Sequence, residues 1–183
     1  MATGSLAGRL LVASATLQDP NFARTVVLIG LHGEEGALGL VLNRPSTSTV
    51  AEAVPQLQDM VGEDEPVFVG GPVQPGTIVM LAEFDDPDPA GLLVLGRIGL
   101  PAPDASLEQL ETATSRRRVF AGYAGWGEGQ LDQEVAQGDW ITHDALPQDV
   151  FCEEPLELWS EVLTRKGGRY ALIARMPPDP SLN

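Results

Sequence analysis

The first third of the chain alternates short apolar runs with turns. Three runs rich in valine, leucine and isoleucine are each long enough for one strand, at Arg9–Leu17, Arg24–His32 and Ala37–Asn43. They are separated by Asp19-Pro20 and by Gly33–Gly36, which are typical turn sequences. Strands joined by such short connections pair antiparallel, so the pattern predicts a meander that stops at Pro45, which lacks an amide donor.

Further apolar runs continue this pattern along the rest of the chain. They are Val67–Val73, Thr77–Glu83, Leu92–Gly99, Arg118–Ala124, Asp139–His143 and Tyr170–Ala174. The connection Phe84–Gly91 is acidic and rich in turn-forming residues, which predicts an exposed hairpin loop. The last run, Tyr170–Ala174, is expected to close the sheet.

Helices are predicted between these strands. Their expected bounds are Val50–Met60, Leu107–Arg116, Gln130–Gln137 and Pro155–Lys166. Capping boxes, Thr49 with Glu52 and Ser106 with Gln109, mark the starts of the first two. Pro55 lies inside the first helix and is expected to shorten or kink it, because proline removes a helical hydrogen bond.

The order of the elements indicates the fold class. Strands outnumber helices about two to one, and the two kinds of element are interleaved. In a chain of 183 residues without internal repeats, this predicts an α+β fold with one domain over residues 1–183. The proline-rich end, residues 176–183, is expected to fray.

The charge balance narrows the classes of partner. The chain carries 26 acidic and 11 basic side chains, a net charge of −15. Duplex-binding proteins need basic side chains to displace phosphate counterions, so nucleic acid is disfavoured as a partner. No apolar run reaches the roughly 18 residues of a membrane span, and no basic stretch precedes the apolar start. We therefore expect no membrane partner and no secretory signal, and the single cysteine, Cys152, favours a cytoplasmic location.

Motifs that carry catalytic or metal chemistry are absent from the sequence. It contains no G-x-S-x-G, H-E-x-x-H, C-x-x-C or G-x-x-x-x-G-K-[ST] pattern. Its two histidines, His32 and His143, lie at strand ends, and Cys152 follows an apolar stretch. We therefore expect no catalytic residue, no metal and no cofactor, and a buried structural thiol at Cys152.

One glycine-rich segment, GYAGWGEGQ at residues 122–130, leaves two interpretations open. Its order of strand, glycine turn and helix is that of a dinucleotide-binding unit, but the glycine spacing departs from G-x-G-x-x-G and Glu128 would repel a pyrophosphate. With dinucleotide binding disfavoured, the segment is either a tight turn with Tyr123 and Trp126 in the core or a binding surface that includes Tyr123, Trp126 and Gln130. Because glycines flank Trp126, we expect this indole at the surface and Tyr123 in the core.

Two other turns have the composition of binding loops. In Gly70-Gly71-Pro72, the glycines allow left-handed backbone angles and the proline fixes its own φ. A binding loop and a tight structural turn both use this combination. Asn43 and Arg44 follow the third strand, and Arg44 is the only basic residue between Arg24 and Arg97. A lone arginine at this place holds either a carboxylate of the protein or an anionic ligand.

Several of these segments together resemble the AlgH/YqgE family of bacterial proteins. The similarity covers nearly the whole chain and runs through LAGRLLVASATLQDPNFARTVVLI, EEGALGLVLNRP, VFVGGPV, GYAGWGEGQLDQE and the DW-containing segment. The resemblance implies a compact α+β domain with a mostly antiparallel, partly closed, barrel-like sheet. Family members have been labelled transcriptional regulators, but the resemblance brings no catalytic residues. The histidine that members often carry shortly after GGPV is missing from TIVMLAEF.

The combined interpretation is a non-catalytic cytoplasmic protein that binds a small ligand or a protein partner. The expected binding surface consists of Asn43, Arg44, Gly70, Gly71, Pro72, Tyr123, Trp126 and Gln130. Because binding residues concentrate at strand ends and turns, we expect Arg44, Gly71 and Trp126 to line one cleft or surface patch. A DNA-binding transcriptional regulator and an unrecognised enzyme are the alternatives, and the acidic charge disfavours the first.

Overall fold

Antiparallel pairing joins most strands into one sheet that curls into a half-barrel. The computed structural model describes residues 4–178. The strands are β1 (Arg9–Ala13), β2 (Val26–Gly33), β3 (Gly36–Val41), β4 (Pro45–Thr49), β5 (Pro66–Val69), β6 (Val73–Phe84), β7 (Ala90–Leu95), β8 (Ile98–Pro101), β9 (Thr114–Trp126) and β10 (Trp140–Asp144). They run in the order β10-β1-β2-β3-β9-β6-β8-β7, with β4 paired to β5 and β5 parallel to β9. The predicted single α+β domain with a mostly antiparallel, partly closed sheet is confirmed.

The helices are short and lie between the strands and after them. They are α1 (Val50–Ala53), α2 (Leu107–Ala113), α3 (Gln130–Gln137), α4 (Pro147–Val150), α5 (Leu158–Lys166) and α6 (Arg169–Ile173), with 3₁₀ helices at Pro55–Met60 and Pro155–Glu157. Both predicted capping boxes are present, and Pro55 shortens the first helix as expected. None of the helices between residues 4 and 178 is long and apolar enough to cross a bilayer.

The prediction of a final strand at residues 170–174 is wrong, because these residues lie in α6 and just after it. Tyr170, Ile173 and Ala174 contact the core, while Leu172 is exposed. This is the spacing of a helix face. A short apolar run does not separate a helix from a strand by its sequence alone, which explains the error.

Three other boundaries differ from the predictions. Pro45 begins β4 rather than ending the strands, since proline is tolerated at the first residue of a strand. The predicted strand Leu92–Gly99 is the hairpin β7–β8, which turns at Gly96 with a φ of 57°. Residues 114–116, expected in a helix, begin β9 and pair with β6.

The end of the chain that was expected to fray, residues 176–183, lies mostly outside the described residues. Its first residue, Met176, accepts a hydrogen bond through its carbonyl oxygen from Arg24 at 2.9 Å. This bond ties the last described turn of the chain to the loop that precedes β2.

The main core lies inside the half-barrel and continues onto α5. Inward-facing side chains such as Leu10, Leu28 and Phe120 pack against Trp159 of α5. The Trp159 indole N–H donates to the Ala13 carbonyl oxygen at 2.8 Å. The opposite face of β1–β3 and β9 packs under α3, and a third cluster packs under α1 and α2.

Candidate functional site

An apolar cleft opens into the interior of the half-barrel. Its floor is made by Leu28, Leu40 and Leu81, which also belong to the main core. Its rim carries Leu31 and Leu38, which are 48% and 42% exposed and pair across β2 and β3. The cleft has a volume of about 170 Å³. A contiguous apolar surface that opens to solvent is a feature of binding sites.

A glycine in β2 leaves the space that forms the cleft. The pairing of β2 with β3 is irregular between Ile29 and Leu31, and Gly30 occupies that irregularity. A Cβ on Gly30 would lie 3.8 Å from the Leu38 carbonyl oxygen and 3.9 Å from a Val94 methyl carbon. Both are ordinary contact distances, so a larger side chain at this position would grow into the cleft.

Tyr123 provides the aromatic side chain of the cleft. Gly122 precedes it with a φ of 73°, a left-handed conformation that interrupts the alternation of side chains along β9. Phe120 and Tyr123 therefore both face the interior, although regular alternation would place them on opposite faces. Of the side chains that line the cleft, only that of Tyr123 carries a polar atom. Its hydroxyl has no hydrogen-bond partner among residues 4–178, and the surface of the cleft is almost wholly apolar, so the ring lines the cleft and the hydroxyl hardly reaches it.

The predicted Gly70-Gly71-Pro72 turn lies behind Tyr123. A Cβ on Gly71 would overlap the backbone of Tyr123, and one on Gly70 would overlap the carbonyl oxygen of Gly122. Gly70 and Gly71 are buried, and Pro72 is exposed. Glycine permits this close approach of two backbones, so the turn positions Tyr123 and does not itself line the cleft.

Asn43 and Arg44 bind the backbone of the loop that precedes β2. The Asn43 side chain accepts from the Val26 amide at 3.0 Å and donates to the Arg24 carbonyl oxygen at 2.9 Å. The Arg44 guanidinium donates at 2.8–3.0 Å to the carbonyl oxygens of Pro20, Asn21 and Ala23. Burial lowers the pKa of Arg44 from its ordinary value. Backbone carbonyl oxygens thus accept the hydrogen bonds of Arg44, and the carboxylate whose charge acts on it is that of Asp19.

Trp126 is buried, with 7% of its surface exposed, so the expectation that its indole lies at the surface is wrong. Its N–H donates to Glu134 at 2.9 Å, and the N–H of Trp140 donates to the same oxygen at 2.9 Å. Gln130 donates to the other oxygen of Glu134, also at 2.9 Å. Phe22 packs against both indoles, with ring centroids 6.1 and 5.6 Å away. The flanking glycines let the chain turn, while α3 supplies the acceptor that anchors the ring.

The expected site residues are therefore divided between two parts of the molecule. Tyr123 lines the apolar cleft, whereas Trp126 packs on the other face of the sheet, under α3. Arg44 holds the loop that carries Phe22, and Gly71 supports Tyr123 from behind. None of Arg44, Gly71 and Trp126 lines the apolar cleft.

Sequence reasoning missed the aliphatic wall of the cleft. Its leucines and valines are Leu28, Leu31, Leu38, Leu40, Val79, Leu81, Leu92, Val94 and Leu100. A signal was present around the β2–β3 turn, where Leu31 and Leu38 take places that are polar in most exposed hairpins. The other wall residues belong to the strand runs that predict a core, so their pattern does not distinguish a lined cleft from a filled interior.

Residues 4–178 contain neither a candidate metal site nor an activated thiol. No cluster of three histidine, cysteine, aspartate or glutamate side chains in this range could hold a metal ion. Cys152 is buried as expected, and burial raises the pKa of its thiol, which favours the unreactive neutral form.

Comparison with known families gives a match across most of the chain. Residues 10–171 match the model of a family described as AlgH-like. The chain belongs to the AlgH-like family. This confirms the resemblance inferred from the NRP, GGPV and GYAGWGEGQ segments.

Other AlgH-like proteins align with this chain from end to end. A "UPF0301 protein" of Streptomyces avermitilis is 45% identical, over 98% of this chain and 96% of that protein. UPF0301 protein CT0663 of Chlorobaculum tepidum is 39% identical, over 96% of this chain and 95% of that protein. These names state a family and no molecular function.

Solved structures share the AlgH-like fold. Protein DIP2367 from Corynebacterium diphtheriae superposes with a TM-score of 0.86 at 28% identity, covering 96% of this chain and 95% of that one. The AlgH protein from Pseudomonas aeruginosa has a TM-score of 0.70 at 32% identity, covering 97% and 98%. The half-barrel that holds the cleft is thus shared with experimentally determined structures.

Proposed function

We propose that this AlgH-like chain is a non-catalytic, cytoplasmic binding protein whose apolar cleft takes one small apolar group, such as a ring or a branched alkyl. The observation that carries the proposal is the cleft itself, about 170 Å³ in volume and lined by aliphatic side chains with one phenol. Engineered apolar cavities of about 150 Å³ bind benzene or xenon, so a group of that size fits.

The lining favours binding over catalysis. Acid–base or nucleophilic chemistry requires an activated group beside the substrate. The lining of the cleft includes no carboxylate, imidazole or thiol, and almost none of its surface is polar. The aliphatic walls and the Tyr123 ring are suited to hold an apolar group by contact alone.

A protein side chain is a second candidate occupant, favoured by the exposure of Leu31 and Leu38 on the rim. A partner protein would cover these leucines as well as the cleft. Hydrogen exchange separates the two candidates, because a partner would protect the whole β2–β3 hairpin including its exposed tip at residues 33–35, whereas a small ligand would protect only the amides beside the cleft.

DNA binding by a regulator receives little support from the arginines. In the basic run, Arg116 pairs with Glu83 at 2.8 Å and Arg118 with Glu65 at 3.3 Å. Arg117 donates to backbone carbonyl oxygens, including that of Met60 at 2.7 Å. The run is therefore occupied within the protein, in a chain whose net charge is −15.

Calorimetric titration with benzene tests the proposal. A ring that buries about 150 Å² gains about 4 kcal/mol, which corresponds to a Kd of about 1 mM. We expect Gly30→Leu to fill the cleft and abolish binding. Gly62→Leu is the matched control, because a Cβ on Gly62 meets nothing within 4 Å.

Phenol separates the role of the hydroxyl from that of the walls. Tyr123→Phe should leave the binding of both benzene and phenol unchanged, because the ring lines the cleft and the hydroxyl contributes almost none of its surface. Should Gly30→Leu fold poorly, Gly30→Ala provides a partly filled cleft with reduced affinity. Benzene binding of equal strength in the wild type and in a folded Gly30 variant would refute the proposal.

A further inference from the structure

A second concave region lies beside the edge strand β10. Its walls come from β10 (Trp140, Ile141), from Val135 of α3 and from Tyr170 and Ile173 of α6. Its volume is about 420 Å³, within the roughly 300–1,000 Å³ of small-molecule sites. This region, called here the basic pocket, shares no lining residue with the apolar cleft.

The charge of the basic pocket is opposite to that of the chain. Its lining includes Lys166 and Arg169 and no acidic residue, although the net charge of the chain is −15. Lys166 is also the only lysine in the sequence. Lys166 Nζ and Arg169 Cζ each lie 5.0 Å from the centre of the Tyr170 ring, so both cations stand beside one aromatic wall.

Both cations keep donors available. Lys166 Nζ donates to the Thr142 carbonyl oxygen at 2.9 Å, and Arg169 donates to the Tyr170 hydroxyl at 3.1 Å. Across residues 4–178, neither forms an ion pair with an acidic side chain. Because an ammonium has three N–H groups and a guanidinium has five, most of their donors can meet a ligand.

Three acidic side chains on β10, α3 and α4 have partners other than Lys166 and Arg169. Asp144 pairs with Arg9 at 2.9 Å, and Asp149 pairs with Arg165 at 2.8 Å. Glu134, on α3, accepts the indole N–H of Trp140 at 2.9 Å. The cations of the pocket are therefore not neutralised by these neighbours.

Two titratable groups beside Lys166 and Arg169 have shifted pKa values. Burial, together with the charges of Arg165 and Lys166, lowers the pKa of His143. The hydrogen bond from Arg169 lowers the pKa of Tyr170, which favours the phenolate. Both directions agree with a positive local potential beside an apolar wall.

We infer that the basic pocket binds a small organic anion, a carboxylate or phosphate group carried on an apolar or aromatic body. Lys166 and Arg169 hold the charged group through charge-assisted hydrogen bonds. The body packs against Trp140, Ile141 and Ile173, which are the apolar surfaces of the same pocket. The inference is independent of what the apolar cleft binds.

Titration with phenyl phosphate and with benzoate, followed by NMR, tests the inference. Trp140 lines the pocket, so its indole N–H signal should shift saturably, while Trp159, which does not line the pocket, serves as the internal reference. Lys166→Gln should weaken binding about tenfold, the loss of one charge-assisted hydrogen bond, and Lys166→Arg should restore it. Arg97→Gln, which makes the same charge change on the exposed β7–β8 turn, should leave the affinity unchanged.

Two further probes define which part of the ligand is recognised. Benzyl alcohol lacks the charge and inorganic phosphate lacks the ring, so each should bind at least about tenfold more weakly than phenyl phosphate. Because Lys166 is the only lysine, its protection from acylation by bound phenyl phosphate can be followed by mass spectrometry. Equal affinity for the neutral probe or for inorganic phosphate, unchanged binding in folded Lys166→Gln, or no saturable shift with either anion would each overturn the inference.

Discussion

Replacing Trp126 by alanine tests the anchor that holds the glycine-rich segment. The indole is 7% exposed and donates to Glu134 at 2.9 Å. A buried tryptophan side chain covers about 200 Å², which at about 25 cal/mol per Å² amounts to roughly 5 kcal/mol. Truncations of this kind cost about 3–5 kcal/mol in practice, so we expect Trp126→Ala to lose about 4 kcal/mol of unfolding free energy.

Calorimetry measures this loss, and Tyr123→Ala is the companion variant. At about 2–4 °C per kcal/mol for a chain of this size, Trp126→Ala should lower the Tm by about 10 °C. Tyr123 is half-buried at the cleft, so its truncation should cost about 1–2 kcal/mol. The reasoning is refuted if Trp126→Ala stays within about 1 kcal/mol of the wild type while Tyr123→Ala unfolds the protein.

Three other outcomes follow from the structure. Gly122→Ala should destabilise the protein by about 1–3 kcal/mol, because alanine is strained at a φ of 73°. Gly76→Ala is the control, since a Cβ on Gly76 meets open space, and chemical denaturation compares the two variants. The hydrogen bond from Arg116 lowers the pKa of Glu83 in the folded state, so the Glu83 carboxylate stabilises the fold at neutral pH. This stabilisation is lost as the pH falls through the lowered pKa. Glu83→Gln should therefore lower the Tm by about 2 °C at neutral pH and leave it unchanged near pH 2; an equal loss at both pH values would contradict the ion pair. Fluorescence anisotropy should detect no specific duplex DNA binding at about 150 mM salt, and a sub-micromolar, sequence-dependent complex would restore the regulator interpretation.

Much of the fold could be predicted from capping boxes and apolar runs, because each of these sequence patterns depends only on residues a few positions apart. The capping boxes at Thr49 and Ser106 begin α1 and α2 as expected. The apolar runs of β1, β2 and β3 form the predicted meander. Tyr170 shows where local patterns fail, since a short apolar run fits a strand and a helix equally well.

The positions of Tyr123 and Trp126 depend on contacts that the local pattern does not contain. Gly122 adopts a left-handed conformation that turns Tyr123 inward, where it lines the cleft. Glu134 and Trp140 come later in the chain, and the fold places both beside Trp126. Glycines on both sides of an indole indicate backbone freedom, but they do not show whether a partner captures the ring.

Nuclear Overhauser contacts between bound benzene and the protein methyl groups test the central claim most directly. The account predicts contacts to Leu28, Leu81 and Val94, with the Tyr123 ring protons nearby, and their loss in Gly30→Leu. Contacts confined to other exposed leucines, such as Leu156 or Leu172, or contacts that persist unchanged in Gly30→Leu, would contradict a binding site in the cleft.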